Sequence, residues 1–368
     1  MHEDRLAILR QVMEERSLET LALLPGPSLF YLSGLSFHLL ERPIVCFFNI
    51  KKDPLIIVPE LERSKVEASH LKIDVLDYGE DSASRLKAFD VAGKKLGLEK
   101  TRVGIEPLGM RAYELRLLEG AAADVKLGSA EDIVADLRVI KQEGELSQMR
   151  QAVKIAENAL SETLSHIEIG MSEHEVASEL VIQLLRAGCD DEIPFKPIIA
   201  SGANSAIAHA TPTDRQIQWG DLLLIDFGAR SHGYISDITR TFAIGEIDSE
   251  MKEVYDIVEQ ANAAGKDAVV AGVSCCEVDR VTRSVIEAAG YGAYFIHRTG
   301  HGIGLEGHER PYIAEDNKEI LSPGMTFTIE PGIYIPGRGG IRIEDNVVVT
   351  AEGGESLTTY TRDLQVIS

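Results

Sequence analysis

Cysteine is scarce in this chain: four occur in 368 residues, at 46, 189, 275 and 276, with no CxxC spacing and no disulfide framework. That argues against a disulfide-stapled scaffold or a cysteine zinc ribbon and suits a reduced, cytoplasmic compartment. No apolar run approaches the ~20 residues of a membrane helix. The opening MHEDRLAILRQVMEER reads as a mixed-charge amphipathic helix, not a signal peptide. Basic charge is also short: 37 lysines and arginines stand against 59 acids, a net charge of -22, and the excess lies mostly after residue 140. Phosphate backbones require a basic face, so nucleic acid is a poor partner. Most of the acids are solvated surface. The rest of the composition, 44% hydrophobic and 26% charged, is that of an ordinary globular protein long enough for two or three domains.

Against this background five residues stand out: Asp226, Asp237, His301, Glu330 and Glu344, each in or beside an apolar, strand-like run. LLLIDFG and YISDITRTFAI flank a turn, and a four-residue loop at 230–233 would set Asp226 opposite Asp237. MTFTIEPGIYI and GIRIEDNVVV flank a second turn, and a three-residue loop at 336–338 would set Glu330 opposite Glu344. Facing side chains lie about 4.5–5.5 Å apart at Cβ. Two carboxylates there repel by roughly 3–4 kcal/mol at an effective dielectric near 20. A pair of divalent cations removes the conflict twice over. Four carboxylates with one imidazole suit harder ions, Mn²⁺ first, with Co²⁺ or Zn²⁺ as alternatives; a closed structural zinc site would prefer cysteine and histidine.

The two acidic hairpins belong to a longer repeat. Gly170-Met171-Ser172, with Glu175 three residues on, aligns with Gly272-Val273-Ser274 and Glu277, each predicting a capping box that opens a helix. The helices stop at Ala-Gly, at 187–188 and 289–290. His209-Ala-Thr-Pro212 then matches His308-Glu-Arg-Pro311, and the acidic strands follow. The pattern predicts a duplicated helix–strand–strand unit, roughly 145–247 and 248–352, packed about a pseudo-two-fold axis where the acids converge. Its equivalent positions place His209 and His308 in the same cleft. Arg342, two residues before Glu344, shares its strand face and could order the acids or bind a substrate carboxylate.

Residues 1–127 read as a separate α/β domain, with a hairpin over 43–59 and a helix near 82–97; residues 128–144 read as a linker and 145–368 as the catalytic domain. His38, His70, His232 and His297 read as structural or exposed. GIGLEG at 302–307 satisfies G-x-G-x-x-G, but a dinucleotide fingerprint needs a helix there, and a proline follows instead. Asp226-Phe227-Gly228 lacks the companions of a kinase metal motif.

At AHATP, IDFGARSHGYISDITRTF, GHGIGLEGHERP, TIEPGIYIPGRGGIRIEDNVVV and RVIKQEGEL the chain resembles the creatinase, prolidase and methionine aminopeptidase superfamily of pita-bread metallopeptidases. The resemblance runs over essentially the whole chain. It implies an α+β protein: a creatinase-like N-terminal α/β domain, non-catalytic and involved in dimerisation and cleft shaping, then a pita-bread catalytic domain with an internal duplication. It implies two metal ions, Asp226 on the first, Asp237 and Glu344 bridging, His301 and Glu330 completing the second. His209 and His308 match the family's substrate-side histidines and Arg342 its arginine in RIED. The activity implied is hydrolysis between an N-terminal residue and proline, with Glu330 moving the proton. An Xaa-Pro dipeptidase is the first reading and an aminopeptidase P on longer peptides the alternative; a creatinase-like small-amide hydrolase and a non-catalytic binding protein stand further off. A homodimer is also implied. One departure counts: some prolidases carry arginine just after HExP, and Tyr312 stands there.

Overall fold

In the computed structural model, which describes residues 2–99, 101–122 and 124–368, the chain divides into two compact units, one ending at Arg138 and one beginning at Val139. The boundary falls inside the stretch expected as a linker. That stretch carries the helix Glu131–Arg138 as part of the first unit, while the helix expected from 145 begins at Glu143, capped by Gln142 and Glu145.

The first unit is a six-stranded mixed sheet in the order Asp74–Tyr78, Leu55–Pro59, Val45–Asn49, Thr20–Leu23, Arg102–Ile105, Lys126–Ser129. The expected hairpin is present, with Val45 opposite Ile57 and Phe47 opposite Leu55. The helix Ser82–Leu96 starts on the Asp81 side chain and ends at Gly97, whose φ of 72° is a left-handed stop glycine readily supplies. Its Phe89, Ala92 and Leu96 pack on the sheet.

The second unit holds the duplicated pattern: two helices, then strands, twice. Helices Glu143–Leu164 and Glu173–Arg186 precede the strands Ile198–Ser201, Leu222–Phe227 and Ile238–Ile244; helices Ser249–Asp267 and Cys275–Ala288 precede Gly300–Gly302, Thr326–Ile329 and Asp345–Val349. Strand alternation decides what each face meets. Leu223, Ile225 and Phe227 join Leu160, Leu180 and Leu184 under the first helix pair, so Asp226 points to the opposite face. Phe327, Ile329 and Val347 pack with Val278 of the second pair. The two sheets meet at an isolated bridge between Thr239 and Glu344, and Glu344 N–H donates to the Thr239 carbonyl at 3.1 Å.

One capping box forms and one does not. Ser172 and Glu175 cap reciprocally. Ser274 occupies the N-cap without a side-chain bond, because its hydroxyl lies 3.2 Å from the Cys276 sulfur and Glu277 pairs with Arg280. Beneath the acidic strands, Arg240 is fully buried and bonds the Asp345 carboxylate at 2.7 Å, as does Lys266 at 2.6 Å. Burial alone would raise the Asp345 pKa, yet Arg240 and Lys266 hold it below the ordinary carboxylate range. No described helix is long and apolar enough to cross a membrane.

Candidate active site

The hairpins deliver the acids by different turns. In the second, Gly332 faces Arg342 and Ile335 faces Gly339, so the loop is the expected three residues. The deeper ladder keeps the same register, Ile329 opposite Asp345, and Glu330 therefore stands across from Glu344 between the two ladders. In the first hairpin Tyr234 pairs with Ser231, leaving a two-residue turn at His232-Gly233, not the expected four-residue loop. Both turn residues have positive φ, 51° and 84°, the backbone of a tight primed turn whose twist matches the strands. The register moves by two, and Asp226 faces Thr239, not Asp237. A shift of two preserves the face, so Asp237 becomes a diagonal neighbour on the same side.

All five metal-ligand candidates line one cleft of about 580 Å³, with His209, His308 and Arg342. Asp237, His301 and Glu344 come closest: each offers a ligand atom, and these atoms lie within 4.8 Å of one another. His301 Nε2 is 3.3 Å from Glu330 Oε1 and 3.8 Å from Asp237 Oδ2. Its Nδ1 lies 3.1 Å from the Gly302 carbonyl, which takes the ring proton and turns the Nε2 lone pair toward the acids. Burial first, then His308, pushes the His301 pKa down to about 3. A neutral imidazole lone pair thus opposes carboxylate oxygens. Asp237 Oδ1 and Glu344 Oε1 are buried with no hydrogen-bond partner. Orphaned acceptors of this kind are costly unless a cation sits among them, so the donor set fits a divalent ion.

The electrostatics agree. Burial, then Glu344 and Asp226, raises Asp237 well above the usual range; burial, then Glu330 and Asp226, does the same for Glu344. Burial pushes Glu330 up to about 7, with Asp226 adding to it against Arg342. These directions belong to the acids alone, and a bound cation reverses them.

Supporting bonds lock the geometry. Asn346 bridges the Asp237 backbone, its Oδ1 accepting from Asp237 N–H at 3.1 Å and its Nδ2 donating to the Asp237 carbonyl. Thr239 Oγ1 donates to Glu344 at 2.6 Å and accepts from Arg342 Nε at 3.1 Å. The Arg342 guanidinium also donates to Asp226, to Tyr334 Oη at 2.8 Å and to the Ala208 carbonyl at 3.2 Å. Of the two roles expected of Arg342, the one visible here is ordering the acids. Gly300 and Gly302 flank His301 because a Cβ would lie 1.8 Å from the Thr328 carbonyl oxygen or 2.2 Å from that of Arg310. Of the glycines in GIGLEG, Gly302 serves strand packing and Gly304 makes room for the Glu309 and Lys141 side chains, and a strand, Glu309–Ile313, follows in place of a nucleotide-binding helix.

The two flanking histidines are held differently. The His308 ring stacks on His301 with centroids 3.8 Å apart, and its Nδ1 lies 3.2 Å from Arg298 NH2. Arg298 can only donate, so the His308 proton resides on Nε2. His209 sits on an exposed loop tied at its ends by the fully buried Glu173, which accepts from Ser201 N–H at 2.7 Å and Thr213 N–H at 3.0 Å.

Sequence reasoning missed Glu173, His297, Arg298 and Tyr334. Tyr334 was within reach, since it lies four residues after Glu330 in the same apolar run, MTFTIEPGIYI. His297 Nε2 lies 2.9 Å from Tyr334 Oη, and burial lowers its pKa to about 4. It extends the Arg342–Tyr334 chain and is not a bland residue. His297 and Arg298 precede the strand, where alternation gives no guide.

Comparison with known proteins agrees with this geometry. Residues 147–351 match the model of metallopeptidase family M24 and residues 5–140 that of the creatinase/prolidase N-terminal domain. An Xaa-Pro dipeptidase of Pyrococcus furiosus is 35% identical over 365 residues, spanning 98% of this chain and 99% of that protein. The structure of an Xaa-Pro dipeptidase from Bacillus anthracis superposes with a TM-score of 0.91 at 33% identity, covering 100% of both chains. An X-Pro aminopeptidase from Thermotoga maritima superposes with a TM-score of 0.87 at 32% identity, covering 98% of this chain and 99% of that one.

Proposed function

The chain belongs to metallopeptidase family M24, and from that premise we propose that it is an Xaa-Pro dipeptidase, releasing free proline from a dipeptide. The observation that carries the reading is the buried set Asp237, His301 and Glu344, with two carboxylate oxygens lacking any partner, in a cleft shared with His209, His308 and Arg342. We further propose two divalent ions per chain, manganese first. Asp226 would hold one, Asp237 and Glu344 would be shared, and His301 and Glu330 would complete the other. When bound, such ions supply the positive charge that makes water a nucleophile at neutral pH and polarises the scissile carbonyl.

The chain's own groups do the rest. Glu330 takes the proton from the attacking water and passes it to the proline nitrogen as the C–N bond breaks. That nitrogen has no N–H in the peptide and must gain a proton to leave as an amine. His308, with its proton on Nε2, and His209 would donate to the oxyanion. Arg342 holds Asp226 in position.

A second reading, an aminopeptidase on longer Xaa-Pro peptides, is favoured by Tyr312 at the position where some prolidases carry arginine, and by the likeness to the Thermotoga protein. Incubating the manganese-loaded enzyme with Ala-Pro and with Ala-Pro-Ala separates the two. The dipeptide is expected to be cleaved at least tenfold more efficiently, and preference for the tripeptide would install the second reading. The four free cysteines support a reducing compartment such as the cytoplasm; the family likeness supports a homodimer.

A further inference from the structure

Two arginines line the cleft, and they differ in what they hold. Arg342 is engaged by Asp226, Thr239, Tyr334 and the Ala208 carbonyl. Arg298 has no carboxylate partner among the described residues. Among the described residues its guanidinium makes one hydrogen bond, to His308 Nδ1 at 3.2 Å, and lies 4.4 Å from the centre of the Tyr312 ring. A planar cation on an aromatic face keeps its in-plane N–H groups free for an anion. The setting makes this consequential. The other charged groups of the cleft are the acids and the engaged Arg342, so its one unpaired cation among the described residues is Arg298, a single imidazole layer and one hydrogen bond beyond His301.

We infer that Arg298, supported on Tyr312, binds the free α-carboxylate of the residue on the leaving side of the scissile bond and so makes the enzyme a dipeptidase. This rests on the proposed Xaa-Pro reading and adds the residue that sets peptide length. The chemistry fits the distance scale, because in a dipeptide that carboxylate carbon is three bonds, about 3–4 Å, from the scissile carbon. It also gives Tyr312 a function. Where some prolidases carry arginine after HExP, this ring seats a cation arriving from a different segment. A longer peptide places an amide there, which brings no charge to pair with the guanidinium.

The test compares kcat/KM for Ala-Pro and for its C-terminal amide, with manganese-loaded wild type, Arg298→Ala and Arg298→Lys. Wild type is expected to favour the free acid by on the order of 10- to 100-fold, the range of a hydrogen-bonded charge pair. In Arg298→Ala that ratio collapses toward one, chiefly through a higher KM for the free acid. Arg298→Lys restores part of it, since lysine keeps the charge but not the fork. If Arg298 served only to orient His308, both substrates would suffer equally and the ratio would stand, which overturns the inference. A wild type that cleaves acid and amide alike overturns it too, with the Xaa-Pro reading intact. Cleavage of neither overturns the reading itself, and the inference falls with it.

Discussion

Glu330→Gln is expected to lower turnover of an Xaa-Pro dipeptide by about 10²–10⁴-fold, the usual worth of a positioned proton carrier. The substitution is close to isosteric. Glu330 Oε1 accepts from Thr328 Oγ1 at 3.3 Å and its backbone N–H donates to Thr299 at 2.8 Å; the glutamine carbonyl and backbone preserve both. What disappears is a base beside the attacking water and the proton for the proline nitrogen. A pre-steady-state assay at saturating substrate reads the chemical step directly, with metal content measured on the same sample. Turnover within tenfold of wild type would remove Glu330 from the role, and a parallel loss of bound metal would reassign it as a ligand alone.

The second large effect is on stability, and it changes sign with metal. Asp237, Glu344 and Glu330 hold their protons more tightly folded than unfolded. Groups raised on folding stabilise the native state below their unfolded pKa, near 4, and that contribution is lost as pH climbs through the folded value. For Glu330 the window runs from about 4 to about 7, and the loss is on the order of 3 kcal/mol. The metal-free protein should therefore weaken steadily over that range in urea denaturation. At pH 8 Asp237→Asn removes one of the opposed charges without breaking a hydrogen bond, since Oδ1 has none and the backbone stays on Asn346. The metal-free variant is expected to be more stable than metal-free wild type. Added Mn²⁺ inverts the order: at a hundredfold excess over its dissociation constant it stabilises wild type by about 2.7 kcal/mol and the variant far less. Metal-free curves that rise with pH, or a variant less stable than wild type without metal, would contradict the picture of mutually repelling acids.

Much of this site was legible because carboxylates in apolar strands are conspicuous, and because hairpin parity protects the inference from register errors. The sequence reading misjudged the first hairpin by two residues. His232 in the left-handed region is uncommon for a residue with a side chain, and Ser-His-Gly gives a weaker signal for a tight primed turn than Asn-Gly would. The error left the acids on the right face all the same. The second hairpin was readable in full because Pro336-Gly337-Arg338 carries its turn chemistry openly, with Gly337 at φ 75°. Ser274-Glu277 shows the opposite failure: the pattern of a capping box is present, but nearby side chains compete for both partners. Arg298 could not be read from periodicity, since it lies just outside a strand, and its orientation depends on Tyr312 and His308 arriving from elsewhere in the chain. Contacts assembled by tertiary packing are where sequence reasoning stopped.

The central claim is that these buried acids exist to hold divalent cations. Its most direct test is the metal content of the protein after chelation, manganese loading and exhaustive dialysis, set beside the Asp237→Asn and His301→Ala variants. Two manganese ions per wild-type chain, falling to one or fewer in either variant, is the expected result. Wild type that retains none, or variants that retain as much as wild type, would show that the carboxylates meet for some other reason.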